Sequence, residues 1–302
     1  MEEEKEVFQQ DLSHSEQTGS IFVIKLLFKE PVKIPPKEEI TKCLEKRVGG
    51  DIDCYSYERG SAGISVNKYV SHFKDADVPP LLLITSCTDF DGSEINSFER
   101  SQFWDCEDSE RILSECKYQV IATDMYAAGL SSKERAELDM DFAETLAELY
   151  PQCEAIYFFN SRKLFNASAL RNHNIPKDDR FIKFAVNARF FNIQNTEDMI
   201  ADTLGMSTLF LPDLQYHFHG MDPNFVVNHA YCTASYILQN DNPIEKGDPI
   251  DGIAPNGSFS RGIQWKCSYE NSLIQPARDV IDIFMNEYAA GIRENQNRKE
   301  EP

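Results

Sequence analysis

The sequence predicts an α+β (mixed α/β) fold of twisted mixed β-sheets with packed helices, with room for two lobes. Three observations predict it. Short runs dense in β-branched, aromatic and aliphatic residues recur along the chain, at 21–28, 81–87, 117–123 and 153–159. Among them lies a helix with both ends marked. Ser131-Ser-Lys-Glu134 forms a capping box, Leu138, Phe142, Leu146 and Leu149 repeat at helical spacing, and Pro151 stops the run. The 302 residues are 41% hydrophobic, with 20 Phe and 12 Tyr, enough apolar material for a large core.

In chain order, residues 1–19 read as a disordered acidic arm. Ile21–Phe28 is the first strand. Pro35-Pro36 opens a helix that runs to Val48 and ends at Gly49-Gly50, the usual placing of Pro at a helix start and Gly past its end. Residues 51–58 and 60–66 read as a pair of strands. Leu81–Cys87 has the continuous apolar pattern of a strand covered on both faces. A helical stretch follows over 97–104, extending towards 114. The strand at 117–123, the capped helix and the strand at 153–159 predict a βαβ unit with a right-handed crossover. Residues 166–180 read as a loop or weak boundary. They divide an N-terminal lobe over 20–165 from a C-terminal lobe over 166–285, with a polar tail over 286–302. Phe181–Ile193 reads as one long strand, and Asp202–Gly205 as a turn or short helix start. Asp222-Pro223 caps a helix to about Gln239. Residues 240–257 read as turns around a short strand, and 262–268 and 277–284 as the last strands.

Charge narrows the function classes. There are 30 Lys+Arg against 50 Asp+Glu, a formal net charge of -20. Such a surface repels phosphate backbones, so no nucleic acid and no membrane is expected as a partner. A basic protein partner or a small molecule remains. The eight cysteines are scattered, without a C-x-x-C pair or zinc spacing, which points to a reduced, cytoplasmic chain. Walker A, G-x-G-x-x-G and H-E-x-x-H patterns are absent, Ser161 lacks a G-x-S-x-G elbow, and no cofactor is called for.

The most chemically loaded stretch is Thr208–His219. If 213–219 is extended, Asp213, Gln215, His217 and His219 share one face, and Leu214, Tyr216 and Phe218 share the other. An acid, an amide and two imidazoles in a row make a candidate ligand site, with His217 and Asp213 as candidate metal ligands that Asp202 or Asp124 would complete. The plainer reading is a strand with a wet polar face. Arg189, mid-strand among apolar residues, needs an acidic partner, for which Asp202 and Asp213 are the candidates. Asp124 sits at the carboxyl end of its strand, where ligands bind in open α/β sheets.

These residues also carry a resemblance. Asp202-Thr203-Leu-Gly205 followed by Leu211-Pro-Asp-Leu-Gln-Tyr-His-Phe218 resembles the signature of a microbial domain family of unknown function. Val186-Asn-Ala-Arg189-Phe-Phe, Ser101-Gln-Phe-Trp104, Asp124 with Leu130, Trp265-Lys-Cys267 and Pro276-Ala-Arg278 are similar to its other elements. His219 departs from the pattern, which has Arg or Lys there, and this counts against an H-x-H metal pair. The resemblance implies a shared fold unit and says nothing of mechanism. From the absence of a catalytic signature and the strongly acidic surface, the expectation is a non-catalytic cytoplasmic protein that binds a partner protein or small ligand, of an immunity- or regulator-like kind. The alternative is a metal-dependent or hydrolytic enzyme using the Asp/His cluster at 202–217.

Overall fold

A computed structural model describes residues 18–56 and 60–291. The first half comprises β1 (Val23–Phe28), α1 (Lys37–Val48), β2 (Ile52–Ser56), β3 (Ala62–Val66), β4 (Ser71–His72), β5 (Asp77–Val78), β6 (Leu81–Ile84), β7 (Thr88–Asp89), α2 (Ser97–Arg100), α3 (Ser109–Glu115), β8 (Tyr118–Met125), α4 (Ser132–Leu149), β9 (Ala155–Phe158) and β10 (Lys163–Asn166). The second comprises α5 (Ala167–Asn172), α6 (Arg180–Ala185), β11 (Asn187–Asn192), β12 (Met199–Leu204), β13 (Asp213–Phe218), α7 (Pro223–Gln239), β14 (Pro249–Ile253), β15 (Phe259–Asn271) and β16 (Asp279–Phe284). The α+β class holds. Among the described residues, no helix is long and apolar enough to cross a membrane, and the eight cysteines are free.

The strands form two large sheets. The first runs β10-β9-β1-β8-β6-β3-β2, with β7 beside β8, and its pairings are antiparallel. The second runs β11-β12-β13-β16-β15-β14, antiparallel except where β13 meets β16. One face of the first sheet packs Ile24, Leu26, Phe28, Val120 and Ile156 against Ile40 and Leu44 of α1 and Leu138, Phe142 and Leu146 of α4. This core continues into the second sheet through Leu214, Tyr216, Val226, Ile237 and Trp265. Leu27, Ala155, Tyr157 and Leu164 on the opposite face are covered by Phe90, Ile95, Phe103 and Ile112.

Several expectations are corrected. The strands before and after α4 run parallel but are not neighbours, because β1 lies between them and pairs antiparallel with both. No local pattern announces that insertion. Residues 166–180 are not a bare loop, since α5 begins at Ala167. Phe181–Ile193 is not one strand: α6 ends at Ala185 and β11 starts at Asn187. The helix end is satisfied from outside, as the buried Lys163 ammonium donates to the Lys183 and Val186 carbonyls at 2.8 Å each. Asp202–Gly205 is not a turn, because β12 runs through Leu204. Residues 286–290 are not a tail either. Ala290 N donates to His217 O at 2.9 Å, and His219 N to Tyr288 O at 2.9 Å. The expected arm over 1–17, residues 57 and 58 of the second expected strand, and the tail beyond 291 lie outside the described residues.

Candidate functional site

The stretch 213–218 is extended, as the alternation requires, but its polar face is not wet. β13 is a central strand between β12 and β16, and Asp213 and Gln215 are each 1% exposed. The connection from β15 to β16 folds across this face. Leu273 N donates to Gln215 Oε1 at 2.6 Å, while Gln215 Nε2 donates to Asp282 Oδ1 at 3.2 Å.

Two arginines neutralise the two buried aspartates. Arg189 grips Asp202 with Nε at 2.9 Å and Nη2 at 2.5 Å, and spends Nη1 on Gln275 O at 2.8 Å. Arg278 reaches Asp213 through Nε at 3.1 Å and Asp202 through Nη2 at 2.7 Å. Its remaining N–H groups meet the Thr203, Ile274 and Pro276 carbonyls. Asp213 also accepts from Thr203 Oγ1 at 2.9 Å and from Met206 N at 3.2 Å. Burial pushes the Asp213 carboxyl up, and Arg278, Thr203 and Met206 N oppose that push. Gly205 N approaches Asp213 Oδ2 at 3.4 Å. Gly205 itself has φ +127, and a Cβ there would lie 2.6 Å from Ala185 O, so the position takes no side chain. Chemically the arrangement is a dry lattice of two cations and two anions, with its donors and acceptors committed to one another. It braces four strands and a loop. Removing one member of such a set leaves an uncompensated buried charge, at about 3–5 kcal/mol.

His217 is not part of that lattice. Four residues from Asp213 along a strand is roughly 13 Å, and its Nε2 lies 3.8 Å from Asp198 Oδ2. His219 approaches the same aspartate at 3.9 Å. The structure therefore brings Asp202, Asp213, Arg189 and Gln215 into one region and leaves His217 outside it. Among the described residues, no group of three or more His, Cys, Asp or Glu side chains is placed to hold a metal ion. This corrects the pairing of His217 with Asp213 as metal ligands: the imidazole lies too far along the strand, and the carboxylate faces Arg278.

Asp124 belongs to a second buried set. It accepts from Phe22 N at 2.5 Å and from Arg135 Nε at 2.8 Å. Arg135 also donates to the Ser20 and Thr208 carbonyls, tying α4 to the chain start and to the turn before β13. Asp139 faces the same guanidinium at 3.8 Å, yet neither of its oxygens has a hydrogen bond among the described residues. One cation cannot compensate two fully buried carboxylates. Burial, with Asp124 adding to it, raises Asp139 well above the ordinary carboxyl value. Asp124 is thus a structural residue rather than a ligand at a strand end.

Sequence reasoning missed Asp282, Arg135 and Asp139, and noted Thr203 and Arg278 only as part of a resemblance. Arg278 had a signal, an arginine in a run bound for the interior, but its partners lie 65 and 76 positions away. Gln102, from the Ser101–Trp104 element, also has a defined role. Its amide donates to Phe190 O at 3.3 Å and accepts from Phe190 N at 2.9 Å, imitating a strand partner on the free edge of β11. Trp104 Nε1 donates to the same Gln102 oxygen at 3.2 Å.

No curated protein and no solved structure matches the chain. A family model does match the region just described: residues 202–284, from the Arg-bound Asp202 to the end of β16, match a domain of unknown function, DUF4261.

Proposed function

We propose that this is a non-catalytic cytoplasmic binding protein, of an immunity- or regulator-like kind, and that a basic protein partner docks on the face built by residues 89–110 and β11. One observation carries the reading. Two large aromatic rings stand exposed in the most acidic surface segment of the chain. Trp104 is 59% exposed and Phe98 46%, and Phe98 stacks on Phe191 of β11 at 5.2 Å and 7°. The same segment presents Asp89, Asp91, Glu94 and Glu107 at the surface, while Glu99 pairs with Arg162, Asp105 with Lys163 and Lys183, Asp108 with Arg111 and Glu110 with Arg100. Exposed aromatics supply binding energy at protein interfaces, and like-signed charge around them selects and steers the partner. The Gln102 bridge to β11 holds the rings in place before any partner arrives, which lowers the ordering cost of binding. The free cysteines fit a reducing compartment.

The metal-dependent or hydrolytic alternative has less support, because Asp202 and Asp213 are already occupied by Arg189 and Arg278. The test is co-purification from the native host at low salt, comparing wild type with a Phe98→Ala/Trp104→Ala double variant. The expected result is a partner of net positive charge, retained by the wild type, lost from the double variant, and released as salt is raised. A partner retained equally by both proteins, or insensitive to salt, overturns the reading.

A further inference from the structure

At the opposite edge of the second sheet, α7 and the β14–β15 hairpin enclose a cavity of about 410 Å³. This lies within the size range of small-molecule sites. One wall is a single helical stripe, His229, Cys232, Thr233 and Tyr236. The other is Pro249, Ile250 and Asp251 of β14 with Phe259 at the start of β15. The floor is fixed. His229 Nε2 donates to Asp251 O at 2.8 Å, and its Nδ1 accepts from Tyr216 OH at 2.8 Å. Its ring stacks on Phe259 at 5.1 Å and 18°. The rim is open: Tyr236 is 50% exposed and Phe259 48%.

We infer that this cavity is a binding site for a small organic cation, an ammonium group carried on an apolar or aromatic body. The lining contains no lysine or arginine, so phosphates and carboxylates would find no counter-charge. It does include Asp251, whose carbonyl takes the His229 N–H and whose exposed carboxylate, beside the cavity, is held by Gln264 Nε2 from across the hairpin at 2.7 Å. Half-exposed Tyr and Phe rings offer their π faces to a cation, and Pro249 and Ile250 offer apolar contact to its body. Burial lowers the His229 imidazole to about 4, so it stays neutral at physiological pH and does not repel a cation. The net charge of -20 raises the local concentration of such ligands. The site is independent of the proposed protein-binding face, since β14 and β11 are the two opposite edges of the sheet.

The experiment uses the full chain with benzyltrimethylammonium, 2-phenylethanol and phenylacetate as cationic, neutral and anionic probes of similar body. Binding is followed by saturation-transfer NMR and by protection of the Cys232 thiol from alkylation. The expected result is binding of the cation alone, slower alkylation of Cys232 in its presence, and a loss of affinity of about tenfold in Asp251→Asn and in Tyr236→Leu. Thermal melting of both variants should match the wild type, because both side chains lie at the open rim. Equal binding of the neutral or anionic probe, unchanged affinity in folded variants, or no binding of the cation at millimolar concentration overturns the inference. None of these outcomes bears on capture of a protein partner by Phe98 and Trp104.

Discussion

Replacing Arg278 by alanine tests the claim that the most polar stretch of this chain is a brace. The guanidinium makes five contacts, to Asp213, Asp202 and the Thr203, Ile274 and Pro276 carbonyls. Asp202 keeps Arg189 in the variant, whereas Asp213 loses Arg278 and retains Thr203 Oγ1, Met206 N and the longer contact from Gly205 N. Breaking a buried pair from one side costs about 3–5 kcal/mol. A domain is usually stable by about 5–15 kcal/mol, so the variant should be strongly destabilised. Urea unfolding followed by fluorescence would show the midpoint falling with little change in slope. A second variant guards against a protein that does not fold at all. Arg278→Met combined with Asp213→Leu removes both charges together, and well-packed apolar residues often replace a buried ion pair without loss. The double variant should recover much of the stability lost in Arg278→Ala. A cost below about 1 kcal/mol in the single variant, within the range of an ordinary surface ion pair, would refute the reasoning. So would a double variant no more stable than the single one.

Three further outcomes follow from the same geometry. Asp139 has a folded-state pKa raised well above its ordinary 3.8, so its contribution to stability is full below about pH 4 and is lost as pH rises towards the folded value, at about 1.4 kcal/mol per pH unit. Asp139→Asn should therefore be more stable than wild type at neutral pH by a margin that closes as pH falls towards 4; a margin independent of pH in paired melting curves would contradict this. Gly205→Ala should destabilise by more than about 1 kcal/mol, because the left-handed backbone and the Ala185 carbonyl both resist a methyl group, and a melting temperature equal to wild type would argue against that packing. Gln102→Ala should lose about 1 kcal/mol and associate more readily, because it bares the edge of β11; light scattering and thermal melting identical to wild type would show that the amide does not guard the edge.

What the amino-acid sequence determines by itself are the features whose causes are local. The Ser131–Glu134 box starts α4, and Asp222 with Pro223 starts α7, because the groups that satisfy a helix start lie within a few residues of it. The alternation at 213–218 fixes an extended strand and its division of side chains for the same reason. What only the tertiary structure decides is what those faces meet. Asp213 looks like a wet acid until Arg278 and the 272–278 loop close over it. Phe181–Ile193 looks like one strand until Lys163 takes the carbonyls where α6 ends. β1 enters between β8 and β9 with no mark in either strand. Each of these outcomes depends on partners tens of positions away, and the free energy of satisfying a buried charge or carbonyl exceeds the weak local preference that the nearby residues express.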